Sequence, residues 1–152
     1  MLACDDRATL MRTVETIVRF SRLEPRLRLL AAEAVWNLAR ARIAIRLLPF
    51  RRAIDFGASP LGEGRVGEVG AIVRSVEAAA WRVPWRSVCL DQGLALQRAL
   101  RQRGSDARLH YGLSAPGAGT LSAHVWVVLD GKVLLGGERA GSHCPVAIFP
   151  AD

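Results

Sequence analysis

The sequence predicts an α+β fold in which helices come first and an antiparallel sheet last. Two observations carry that reading. Up to residue 104 apolar residues recur at steps of three or four, and beyond it short alternating runs are separated by turn residues. The chain has 152 residues, 51% of them apolar, which is enough to bury one core and argues against disorder.

Residues 8–23 and 26–48 read as two helices, with Pro25 opening the second. In the second, Leu27, Leu30, Ala31, Ala34, Val35, Leu38, Ile45 and Leu48 make the expected buried stripe. Arginines fill much of the opposite side, read here as a solvated face. Pro49 ends this helix. "DFGASPLGEGRVG", residues 55–67, has the composition of a loop. The expected division is a helical region over 1–55, a Gly-rich linker over 56–67 and a core over 68–152.

The core opens with an amphipathic helix over 68–81, carried by Val69, Ile72, Val73, Val76 and Ala80 and broken by "RVPWR" at Pro84. In "PWRSVCLDQGLALQRALRQRG", residues 84–104, Ser87 is the expected N-cap and Asp91 suits the positive end of the helix dipole. Leu90, Leu94 and Leu100 face the core, and Gly104 supplies the stop. "ARLHYGLSA" alternates like a strand, "PGAG" is a loop, and "LSAHVWVVL" is a second strand. The Asp-Gly pair at 130–131 followed by "KVLL" signals a hairpin, and "HCPVAIFP" gives a last strand.

Charge and cysteine content narrow the function classes. The net charge of +7 comes almost wholly from arginine, since Lys132 is the only lysine, and this pattern reads as codon bias. No aromatic residues interleave with a basic cluster and no nucleic-acid motif appears, so no nucleic-acid partner is expected. The three cysteines, Cys4, Cys89 and Cys144, fit a reducing compartment better than a disulfide framework. The opening "MLACDDRATLMRTVE" lacks the apolar stretch of a signal peptide. The apolar run over 27–50 is broken by Glu33, Arg40, Arg42 and Arg46, short of the roughly 18 residues a spanning helix needs. A cytoplasmic protein is expected, with no transmembrane segment.

Cys89 and His124 carry the candidate chemistry. A cysteine in the first turn of a helix lies near unpaired N–H groups and a positive dipole end, which stabilise a thiolate and an oxyanion. Arg86 adds positive charge. A histidine on a following strand completes the arrangement of thiol hydrolases and acyltransferases. Asp130 does not orient that histidine: six residues along one strand is roughly 20 Å. A two-residue hairpin loop puts His124 opposite Gly137, with Gly136 and Glu138 beside it. Glu138 is the nearest carboxylate, and alternation requires a bulge or a register shift to turn it toward the histidine. His110, His143, Cys144, Cys89 and His124 also invite a metal reading. No CxxC or HxxxH spacing supports it, and neither a metal nor another cofactor is expected.

At these residues the chain resembles a known family. "PWRSVCLDQGLALQRALRQRG", "ARLHYGLS", "LSAHVWVVLDGKVLLGGE" and "PVAIFP", with the upstream "RIAIRLLPFRR", are similar to the stand-alone transglutaminase-like leader peptidases of lasso-peptide biosynthesis. The similarity runs over most of the chain from about residue 40. It implies a papain-like α+β core, a catalytic helix packed on an antiparallel sheet, and a cysteine peptidase that cuts the leader from a ribosomally made precursor. It also implies a separate small leader-recognition protein and a separate ATP-dependent cyclase as partners. By the resemblance Cys89 matches the nucleophile and His124 the base. The family's acid falls about a dozen residues beyond the histidine, where this chain has Gly136. That departure leaves three readings: Glu138 substitutes, the site is a dyad, or this copy is impaired. Two rivals use the same residues differently, a Cys-His acyltransferase or amidase of another pathway and a non-catalytic peptide-binding module.

Overall fold

The structure is a computed structural model that describes residues 24–64, 68–114 and 121–151. The expected helix over 8–23, Cys4 and the "PGAG" loop lie outside the described residues. The elements run α1 (Pro25–Leu47), α2 (Phe50–Gly57), α3 (Val69–Ala80), α4 (Cys89–Arg101), β1 (Arg108–Ser114), β2 (Ala123–Leu129), β3 (Lys132–Leu135), α5 (Gly137–Ala140) and β4 (His143–Phe149). The helices come first and the four strands form one antiparallel sheet in the order β3-β2-β1-β4, the α+β arrangement expected.

The buried face of α1 is built from smaller residues than expected. Ala34, Leu38, Ala41 and Ala44 are buried, together with Asn37, whereas Val35 and Leu48 are more than 40% exposed. Alanine at the contact lets helix axes approach closely, and α1 packs on both α3 and α4. Pro49 ends α1 and also caps α2, so the segment expected to be a loop from residue 55 begins inside a helix. Proline suits both positions because its fixed φ stops one helix and starts the next.

The central helix is α4. Leu94, Ala95, Leu96, Gln97 and Leu100 are all fully buried, so nearly every side of its middle turns meets protein. A side chain at Gly93 would place its Cβ 2.6 Å from Leu109 Cδ1 and 3.3 Å from Val125 Cγ2. Glycine therefore lets α4 lie directly on β1 and β2. The buried Gln97 amide donates to the carbonyls of Ala107 (3.2 Å) and Phe149 (2.6 Å), tying the helix to both ends of the sheet's chain path. One apolar cluster runs from Ala34 and Leu38 on α1 through Ile72 and Leu94 to Leu109 and Val127.

At the hairpin Asp130 (φ 49°) and Gly131 (φ 76°) are both left-handed, the backbone of the two-residue turn that Asp-Gly favours. Beyond it the register shifts between Val127 and Val128, so Val127 faces Leu135 and Val128 faces Val133. The third strand ends at Leu135, and the chain leaves it through Gly136 (φ 77°) into α5. Gly137 and Glu138 therefore do not extend the strand, and no cross-strand position opposite His124 exists for them.

Candidate active site

Cys89 is the first residue of α4, but the cap differs from the one expected. Val88, not Ser87, occupies the N-cap position with extended backbone. Asp91 reaches back one turn, and its Oδ2 accepts the Val88 N–H at 3.1 Å. A carboxylate three residues into a helix accepts the N–H of the cap residue, one of the two bonds of a capping box. Being first in the helix, Cys89 and Leu90 carry N–H groups with no intrahelical acceptor.

Asp91 is itself wholly buried, and Arg42 of α1 approaches its Oδ2 at 3.4 Å. Burial pushes its carboxyl above the ordinary range, against the pull of the Val88 N–H and of Arg42 and Arg46. The start of the helix that bears the cysteine is thus braced from α1.

His124 lies on β2 and is 8% exposed. Its Nε2 is 2.9 Å from the carbonyl oxygen of Gly136. A carbonyl only accepts, so Nε2 carries a proton and, in the neutral ring, Nδ1 bears the free lone pair. Trp126, two residues along the same strand, stacks at 6.3 Å between ring centroids, and His143 lies 5.3 Å away. His143 is held in turn by the Arg139 carbonyl at Nδ1 (2.9 Å) and by Ser122 Oγ at Nε2 (3.3 Å). The imidazole of His124 is therefore fixed in tautomer by a main-chain acceptor and in plane by two rings.

Gly136 is the position a dozen residues past His124, where sequence reasoning looked for an acid and found no side chain. Its φ of 77° turns the chain out of β3 and leaves its carbonyl on the histidine. A Cβ there would sit 2.6 Å from the Val125 carbonyl oxygen and 3.2 Å from His124 Nε2, so the position requires glycine for two reasons.

Cys89, His124 and Glu138 line one cleft of about 820 Å³. Among the described residues no hydrogen bond joins Cys89 to His124, and Glu138, exposed on α5, makes no hydrogen bond or ion pair. Contacts of this kind are often loose in a site without substrate and tighten when one binds. The same cleft takes in Gln92, one helical turn after Cys89, whose Nε2 donates to the Ser87 carbonyl at 3.4 Å, and Trp81 at the end of α3. Sequence reasoning missed both. The spacing of Gln92 from Cys89 could have flagged the first; nothing local marks the second.

A thiol at a helix start, an imidazole with its outer proton already placed and a shared cleft are the parts of a nucleophilic acyl-transfer site. Residues 28–146 match the family profile described as the transglutaminase-like superfamily. Neither the curated proteins nor the solved structures include a match to this sequence.

Proposed function

The chain belongs to the transglutaminase-like superfamily, whose fold carries cysteine-protease and acyltransferase chemistry, and from that premise we propose a cysteine endopeptidase that removes the leader from a ribosomally made precursor during lasso-peptide maturation. The observation that carries the enzymatic part is the His124–Gly136 bond in the cleft of Cys89, because it leaves Nδ1 as the base. The leader-peptidase part is supported by the ordered sequence blocks around Cys89 and His124.

In this reading His124 Nδ1 takes the thiol proton and Cys89 Sγ attacks the carbonyl at the leader–core junction. The N–H groups at the start of α4 hold the oxyanion. As the tetrahedral adduct collapses, the C–N bond breaks and the histidine returns the proton to the departing amine. The same Nδ1 then draws a proton from water, whose oxygen displaces the thiolate from the acyl-enzyme. Throughout, the Gly136 carbonyl accepts from Nε2 and stabilises the imidazolium as an orienting carboxylate would, though without a full charge. Glu138 stands on the wall of the same cleft.

The proposed partners are the precursor's leader, a small leader-recognition protein and the ATP-dependent cyclase that closes the ring, and the proposed setting is the cytoplasm. Among the described residues no helix is long and apolar enough to cross a membrane. The test is leader release from the precursor, with the recognition protein present, followed by mass spectrometry. Wild-type protein should release it, and Cys89→Ala and His124→Ala should each abolish release while keeping the wild-type circular dichroism. Undiminished release by Cys89→Ala would end the cysteine-peptidase reading.

A further inference from the structure

The cleft of Cys89 contains an apolar shelf that the chemistry above does not use. Trp81 is 89% exposed, Val133 47% and Val88 38%, and all three line that cleft. They come from three separate places: the end of α3, the cap of α4 and the middle of β3. Single exposed apolar residues are ordinary, but three converging beside a nucleophile from different elements form a patch, and an indole left almost wholly in water is rare.

The backbone that carries Trp81 is anchored. The turn leaving α3 is tied by the Trp81 N–H to the Glu77 carbonyl (3.3 Å) and by the Val83 N–H to the Ala79 carbonyl (3.0 Å). The Arg82 guanidinium donates to the Ala78 carbonyl at 2.6 Å. Charge around the cleft is mixed, with Glu77 and Glu138 against Arg86 and Arg139, so no single sign of substrate is favoured. At about 820 Å³ the cleft exceeds one side chain and suits a short stretch of peptide.

We propose that Trp81, with Val88 and Val133, forms a specificity subsite that seats a large apolar side chain of the peptide next to the bond attacked by Cys89. The proposal rests on the reading of Cys89 as the nucleophile. A bulky apolar residue docked on the indole would hold the neighbouring carbonyl over the helix start, and a carboxylate would meet the electron-rich face of the ring.

The test uses three small electrophiles that alkylate a thiolate with loss of iodide: iodoacetamide, its N-phenethyl derivative and iodoacetate. Labelling of Cys89 is read by peptide mass mapping. The phenethyl reagent should label wild-type Cys89 at least about tenfold faster than iodoacetamide and with saturation, as expected for prior docking of the ring. Trp81→Ala should bring that rate down to the iodoacetamide rate and remove saturation, leaving the iodoacetamide rate unchanged, and Trp81→Phe should restore the preference. Equal phenethyl rates in wild type and Trp81→Ala would overturn the subsite, as would a preference for iodoacetate, which would assign recognition to the arginines. Failure of the peptidase reading is seen separately, as leader release that survives Cys89→Ala.

Discussion

Asp91 and Arg42 meet at 3.4 Å across 49 residues of sequence, one wholly buried at the head of α4 and the other three-quarters covered on α1. The pair is half satisfied, since Asp91 Oδ1 has no hydrogen-bond partner among the described residues. Arg42→Ala should lower unfolding free energy by about 1–3 kcal/mol at pH 7, because it strands a buried carboxylate. The carboxyl of Asp91 lies above its ordinary range when folded, so the folded chain holds that proton over a window where the unfolded chain has lost it. Its contribution to stability is therefore full below about pH 4 and falls as pH rises through the window up to the raised value. Urea melts of wild type and Asp91→Asn across pH 4 to 7 should differ by that slope. Parallel curves would show that Asp91 does not titrate upward.

Thiol reactivity gives a prediction independent of any substrate. Cys144 is exposed on β4 and Cys89 only partly so. If His124 receives the Cys89 proton, His124→Ala should slow iodoacetamide labelling of Cys89 at pH 7 by about tenfold or more and leave Cys144 unchanged. Equal slowing at both cysteines would indicate a disturbed fold, and no slowing would remove His124 as the base.

The orienting group is tested at Gly136. Gly136→Ala must either hold a side chain at φ 77° and 2.6 Å from the Val125 carbonyl or move the chain. It should lower turnover by about one to three orders of magnitude and stability by about 1–3 kcal/mol. Glu138→Gln should leave turnover within a few-fold, since the Nε2 proton already has its acceptor. A loss of about a hundredfold or more in Glu138→Gln would put that carboxylate in the triad and displace the carbonyl from the role.

At the hairpin, Asp130→Asn should be silent in turnover and within about 0.5 kcal/mol in stability, because asparagine tolerates the left-handed backbone equally well. Asp130→Val should cost about 1–2 kcal/mol at φ 49°. Thermal melts of the pair would check this, and an Asp130→Val protein as stable as wild type would mean the turn is held by the strands alone.

The order of elements was legible because period-three-to-four and period-two patterns rarely mimic each other over a dozen residues. Cys89 at a helix start and His124 on a strand were legible for the same reason: each follows from where a pattern begins. The stripe on α1 was misread at Val35 and Leu48 because periodicity ranks residues by hydrophobicity, while a close helix contact selects small ones such as Ala41 and Ala44. Ser87 looked like the cap through its own hydroxyl, yet the helix begins one residue later and Asp91 binds back to the Val88 N–H. The turn from β3 into α5 was hidden because Gly136 and Gly137 fit a bulge as well as a strand end. The acceptor for His124 escaped because every residue has a carbonyl, and only the path of the chain selects one.

That last point bears on how such a site can be lost. A carboxylate disappears with one codon change; the acceptor here has no codon of its own. Substitutions near it can shift the oxygen, but deleting it takes a change in the number of residues between His124 and Gly136. A one-residue insertion between Leu135 and Gly136, where the pairing with β2 has ended, would bring a different carbonyl to the imidazole while every side chain of the cleft stayed the same. For this chain a glycine where an acid is customary does not mark a dead copy: the identity of residue 136 still matters, but because φ 77° brings its carbonyl to the imidazole and not because of any side chain.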